Sequence, residues 1–184
     1  MDHPNRRLLE ETERLVASFN IAPGDVVADV GTGVGYLLPY LVRTVGPTGR
    51  IIAEDIYPDL LSTAEDRINK HAWTNVQVVV GAAQNPQLPT GVLDVALAVD
   101  VYHHLDYPAQ MLGHIRRALK PTGRLIIVEF YLNRPHPRAR ERELREHIRL
   151  DRDAVIEEVE EQGYQRLDQF DHLSYQYVLV FGKA

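Results

Sequence analysis

The stretch VVADVGTGVGYLLPYL, Val26 to Leu41, passes from a continuous apolar run into alternating glycines and then into a helical pattern, with no conventional linker between them. VVADV suits a short strand covered on both faces, as in a parallel sheet. LLPYLVRTV suits a helix in which Pro39 falls early enough to be tolerated or to cause a mild kink. Between them stands D-x-G-x-G-x-G, from Asp29 through Gly31 and Gly33 to Gly35. Glycines at these positions let the backbone turn tightly and approach a ligand with no Cβ in the way. The helix that follows offers unpaired amides at its first turn.

The same alternation continues on both sides. Leu8, Leu9, Thr12, Leu15, Val16 and Phe19 recur at helical spacing, so a leading amphipathic helix is expected over 5–20, ended by PGD at 23–25. After VVADV and its helix come RIIAED (strand), PDLLSTAEDRINKH (helix), VQVVV (strand), LDVALAV (strand), PAQMLGHIRRAL (helix), a KPTG turn and RLIIVEF (strand). RDAVIEEVEEQG reads as a last helix. YQRLDQF and YQYVLVF follow too closely for a helical crossover, so they should pair as an antiparallel hairpin. The expected fold class is α/β: a doubly wound, Rossmann-like, mostly parallel sheet with helices on both faces. One domain, 1–184, fits this length.

Bulk properties exclude several functions. A formal net charge of -6 argues against binding to nucleic acid or to an anionic membrane surface, both of which need clustered positive charge. The absence of cysteine excludes disulfides, thiolate metal sites and a cysteine nucleophile, which suits a reducing cytosol. The N-terminal MDHPNRRLLEETERL lacks the apolar core of a signal peptide, and no window approaches a membrane span of roughly 20 apolar residues. No group of histidines and acids has metal-ligand spacing. A cytoplasmic enzyme or binding domain is expected.

The glycine turn narrows this further. Asp55 closes the second strand twenty positions after Gly35, where an acid can accept both hydroxyls of a ribose. A dinucleotide fingerprint ends in a third glycine at G-x-G-x-x-G, and this chain has Tyr36 there. Asp29 would repel a pyrophosphate but could pair, directly or through water, with the ammonium of an amino-acid moiety. The ligand that joins a ribose to an α-amino acid is S-adenosyl-L-methionine.

On VVADVGTGVGY, IIAEDIYPDLL, LDVALAVDVYHHL and RRALKPTGRLIIVEF, the chain resembles the class I S-adenosylmethionine-dependent methyltransferases over nearly its whole length. The resemblance implies a seven-stranded sheet with an antiparallel last strand. It implies that Asp29, Gly31, Gly33 and Gly35 line the methionine and ribose side, that Asp55 holds the ribose and that Ile56 flanks the adenine. Asp100 would sit beside the methionine portion and the path to the acceptor. Many relatives carry an acid for the adenine amino group where this chain has Ala82 and Ala83. Backbone groups and apolar contact are expected to hold the adenine instead, with Gln84 or Asn85 as substitutes.

Methyl transfer from a sulfonium is an in-line displacement, so alignment and exclusion of water are the main tasks. They should centre on DVYHHL, 100–105, beyond a central strand. For a hydroxyl acceptor His103 or His104 is placed to act as base, and either histidine could instead pack or cap. Tyr102 and Glu129 are further candidates to orient a substrate, and His147 could reach the same mouth. The chain lacks an N/D-P-P-Y signature, which lowers nucleic acid as acceptor, so a small-molecule substrate is expected. The segment 133–150 reads as a solvated, arginine-rich connector able to cover one side of the site. A homodimer through sheet edges or the leading helix is open. Rival readings are a non-catalytic cofactor-binding protein and a dinucleotide-dependent oxidoreductase.

Overall fold

Alternating apolar strands and amphipathic helices force a layered solution, since each strand run needs cover on two faces and each helix only on one. The computed structural model describes residues 4–132, 148, 150–171, 173 and 175–184. In chain order they form α1 (Pro4–Ser18), β1 (Val26–Val30), α2 (Leu38–Val45), β2 (Arg50–Asp55), α3 (Pro58–His71), β3 (Val76–Val80) and β4 (Leu93–Val99). A 3-10 turn at Tyr102–His104 leads to α4 (Pro108–Ala118), β5 (Leu119–Phe130), α5 (Arg152–Glu160), β6 (Tyr164–Phe170) and β7 (Gln176–Lys183).

The strands make one seven-stranded sheet in the order β3-β2-β1-β4-β5-β7-β6. β1 pairs in parallel with β2 and β4, β2 with β3, and β4 with β5; β7 runs antiparallel to both β5 and β6. Two cores follow from the two faces. Leu15, Val16 and Phe19 of the leading segment, with Leu38, Leu41, Ala64 and Ile68 from α2 and α3, cover one face. Met111, Leu112 and Ile115 of α4 and Val155, Ile156 and Val159 of α5 cover the other. The central strands are mostly buried and mostly apolar because both faces are covered, whereas edge strand β6 is exposed at five consecutive positions.

Two expectations are corrected. The leading helix ends at Ser18, and Asn20 takes a left-handed φ of 49°. KPTG, expected as a turn, lies within β5 as an irregularity: Leu93 pairs with Leu119, but Val95 pairs with Arg124. β4 therefore advances two residues while β5 advances five. Gly123 permits this, since a Cβ there would lie 2.7 Å from the Leu93 carbonyl oxygen. Asp94 fastens the bulge: its Oδ2 accepts from the Val26 amide at 2.9 Å, and Lys120 Nζ donates to both its carboxylate oxygens at 2.7 and 2.8 Å. The proposed connector lies almost wholly outside the described residues, as does His147. Among the described residues no helix is long and apolar enough to cross a membrane.

Asp94→Ala should leave the Val26 amide and the Lys120 ammonium without this partner and cost about 1–2 kcal/mol in urea denaturation, most of it recovered by Asp94→Asn. An unchanged midpoint in the alanine variant would contradict the role given to this carboxylate.

Candidate functional site

In an open α/β sheet, ligands enter at the carboxyl ends of the strands where the strand order reverses. Here that point lies between β1 and β4, and the glycine turn leaves β1 at this place. Gly31, Gly33 and Gly35 all have positive φ, at 71°, 55° and 72°. Their surroundings differ. A Cβ on Gly31 would lie 2.3 Å from Val101 Cγ2, and one on Gly35 would lie 2.6 Å from Leu38 Cδ1. A Cβ on Gly33 would meet nothing within 4 Å. Two glycines thus serve close packing, and only Gly33 faces open space. The helix does not start at the turn but at Leu38, with Pro39 in its first turn.

Asp55, at the end of β2, ties this turn to the next strand. Its Oδ2 accepts from the Gly33 amide and its Oδ1 from the Tyr57 amide, each at 2.9 Å. A carboxylate has about four acceptor positions, so two remain after these bonds. Asp29 is buried, and Thr32 Oγ1 donates to its Oδ2 at 2.7 Å. Burial pushes Asp29 up to about 6, opposed by the Thr32 hydroxyl and reinforced by Asp55. Glu54, which sequence reasoning passed over, lies 1% exposed beneath the turn. Its Oε1 has no hydrogen-bond partner and occupies the space where a Cβ on Gly81 would sit. Burial pushes Glu54 up to about 8; the Gly31 amide offsets this only in part, and Asp55 and Asp29 add to it. An acid inside an otherwise apolar strand run, one residue before Asp55, was the available signal.

Ile56 is 38% exposed just beyond β2, and Val34, Tyr36, Tyr57 and Val80 are exposed apolar side chains at the same end of the sheet. Ala82 closes a tight turn with Asn85: each amide donates to the other's carbonyl, at 2.8 and 2.9 Å. The Ala82 amide is therefore already used, while its carbonyl keeps a second acceptor position.

Beyond β4, Asp100 has a left-handed φ of 54°, and its amide donates to the Val128 carbonyl at 2.9 Å. Gln176 Nε2 donates to Asp100 Oδ1 at 2.6 Å. Burial pushes Asp100 up to about 7, the Gln176 amide and His103 opposing, Glu129 reinforcing. His103 Nδ1 lies 2.8 Å from both carboxylate oxygens of Glu129, and both side chains are almost fully buried. The His104 ring lies 4.1 Å from that of His103, on an exposed residue. Tyr102 Oη donates to Glu158 Oε1 at 2.6 Å. Tyr102, His103, Glu129, Ile148, Leu150, Val155 and Tyr177 line a small cavity, and the buried Tyr177 hydroxyl has no hydrogen-bond partner. Gln176, Tyr177 and Glu158 come from distant segments and had no signal beyond the SYQYVLVF pattern. Among the described residues no cluster could hold a metal ion.

Residues 28–127, more than half of the chain, match the family model described as a methyltransferase domain. The chain belongs to that family. A ubiquinone/menaquinone biosynthesis C-methyltransferase, UbiE, of Ectopseudomonas mendocina (strain ymp) is 32% identical over 111 residues, 60% of this chain and 43% of that protein. The protein of the same name from Burkholderia mallei (strain SAVP1) is 28% identical over 115 residues, 62% of this chain and 47% of that protein. The chain thus spans less than half the length of these curated relatives. Among solved structures, a SAM-dependent methyltransferase from Aquifex aeolicus superposes with a TM-score of 0.88 at 25% identity, covering 100% of this chain and 95% of that one. The [4+2]-cyclase SpnF, at 16% identity and a TM-score of 0.79 over 97% of this chain and 82% of its own, shares the fold. Fold alone therefore leaves the chemistry open.

Membership of this methyltransferase-domain family implies S-adenosyl-L-methionine as cofactor, and the residues present fit it. The open side of Gly33 gives a backbone surface that a ligand can approach. Asp55 keeps acceptor capacity for two hydroxyls, Asp29 places a carboxyl near the turn, and exposed Ile56 and Val80 offer apolar cover for a base.

Gly31→Ala should cost about 1–3 kcal/mol in chemical denaturation, because its Cβ would collide with Val101. Gly33→Ala should cost about 1 kcal/mol, from backbone strain alone, yet weaken cofactor binding in calorimetry more than its stability loss explains. Equal effects of the two on stability would contradict this division.

Glu54 carries a second prediction. Its folded pKa, about 8, stands above the ordinary 4.5, so the fold favours the protonated form and stability falls as pH rises between those values. Glu54→Gln removes that loss. The melting temperature of the variant relative to the parent should climb across that window; a constant difference would show that this carboxyl does not titrate as argued.

Proposed function

We propose that the protein transfers the methyl group of S-adenosyl-L-methionine to a small-molecule acceptor, with Asp29, Gly31, Gly33, Gly35, Asp55, Ile56 and Asp100 on the cofactor side and His103 as base. The observation that carries this reading is the contact of Gly31 with Val101. It brings the glycine turn against the start of DVYHHL, which supports a donor bound beside the segment that carries the histidine pair.

When bound, the cofactor supplies an electrophilic methyl group on a positively charged sulfur. The chain's own residues then bind, orient and take up a proton. Asp55 would receive the ribose hydroxyls on its two remaining acceptor positions, while the Gly33 and Tyr57 amides keep its plane fixed. Asp29 and Asp100 provide acceptors for the amino-acid portion. Glu129, with both carboxylate oxygens 2.8 Å from His103 Nδ1, orients the imidazole ring and would stabilise it once it has taken up a proton. His104, exposed beside that ring, is the second candidate and passes the proton to solvent. Ala82, its amide spent on Asn85, would offer the adenine apolar contact and the remaining acceptor position of its carbonyl.

Support for a small acceptor comes from the net charge of -6 and from the relatives whose names place them in quinone biosynthesis. The test incubates the protein with methyl-tritiated S-adenosylmethionine and a fractionated cell extract. Label should enter the low-molecular-weight fraction, and His103→Asn should reduce the rate about 100-fold or more while cofactor affinity is kept. Label confined to nucleic acid or protein would overturn the acceptor class, and cofactor binding without any transfer would favour the non-catalytic reading.

A further inference from the structure

β7 enters the sheet antiparallel beside β5, and its first two residues point to opposite faces. Tyr177 stands opposite Glu129, and Gln176 stands opposite Phe130. From there Gln176 crosses the end of β5 to reach Asp100, which follows β4, at 2.6 Å. Three constraints thus meet on Asp100: a left-handed backbone, an amide spent on the Val128 carbonyl, and a carboxyl gripped by a neutral amide donor. The groups facing that carboxyl are Glu129 from β5, His103 from the 3-10 turn and Gln176 from β7. A donor that cannot itself titrate favours carboxylate over carboxylic acid without adding charge.

We propose that Gln176 is a positioning residue that sets the charge selectivity of the cofactor site: its amide holds Asp100 as a carboxylate turned to the cleft, favouring cationic S-adenosylmethionine over neutral S-adenosylhomocysteine. This rests on the assignment of Asp100 to the methionine side of the cleft. A carboxylate near the sulfur attracts the sulfonium and gains nothing from the thioether, so its ionisation separates donor from spent product. Burial draws Asp100 towards neutrality, up to about 7, and the amide works against it. Loss of the amide would let the carboxyl keep its proton to higher pH. The left-handed φ of Asp100, which a non-glycine residue adopts only at a cost in backbone strain, restricts where that carboxyl can point.

The experiment measures the affinity of S-adenosylmethionine and of S-adenosylhomocysteine by calorimetry, at about pH 6, 7 and 8, for the parent, Gln176→Leu and Gln176→Glu. In the parent, preference for the sulfonium should grow with pH across this range. At about pH 7, Gln176→Leu should bind S-adenosylmethionine about 10-fold more weakly and S-adenosylhomocysteine within about 2-fold, and its preference should emerge at higher pH. Gln176→Glu, which keeps shape and adds a second acid, should displace the same transition further and remains informative if the leucine variant fails to fold. Equal losses for both ligands, or an unmoved pH profile in a folded variant, would overturn the proposal as a packing effect. Failure of the parent to bind either ligand would instead overturn the cofactor assignment beneath it.

Discussion

The site depends on the approach of the turn after β1 to the segment after β4, where Val101 fills the space that a side chain at residue 31 would need. Parallel pairing of β1 with β4 sets the two strand ends side by side, and the missing Cβ lets the following loops meet. Because of that contact, the glycine turn and the start of the turn that carries the histidines lie against each other as one wall.

Around that wall the sheet gathers acids: buried Asp29 after the apolar half of β1, buried Glu54 and Asp55 at the end of β2, half-buried Asp100 after β4 and buried Glu129 near the end of β5. They are handled differently. Asp55 receives two backbone amides, and Glu129 grips an imidazole nitrogen with both oxygens. Glu54 has an orphaned oxygen, and burial favours its neutral form. A concentration of carboxyl groups with unequal support suits a site for a cation, since a positive ligand stabilises whichever of them ionise. It also places a stability cost at the carboxyl ends of the central strands, as is common at functional sites.

Legibility in the sequence followed the range of the interaction. The strands and helices around the glycine turn were readable because apolar runs and helical spacing are local, and the hairpin of β6 and β7 followed from the length of chain between them. KPTG was misread for the same reason: proline and glycine announce a turn, and only pairing with β4 draws these residues into a bulged strand. Asp55 and the glycines stood out by spacing. Their division of labour did not, because Gly31, Gly33 and Gly35 look alike until their neighbours are known.

The sequence by itself determined an α/β chain with a glycine turn closed by Asp29 and Tyr36, an acid at the end of the second strand and a histidine pair after the fourth. These depend on residue type and separation along the chain, which periodicity and backbone stereochemistry expose directly. Tertiary structure alone decided that Glu129 holds His103, that Gln176 reaches Asp100 and that Glu54 Oε1 lies without a hydrogen bond against Gly81. Each joins residues from different strands. Their meeting depends on strand order and register, which are fixed by packing of the whole sheet rather than by any one segment.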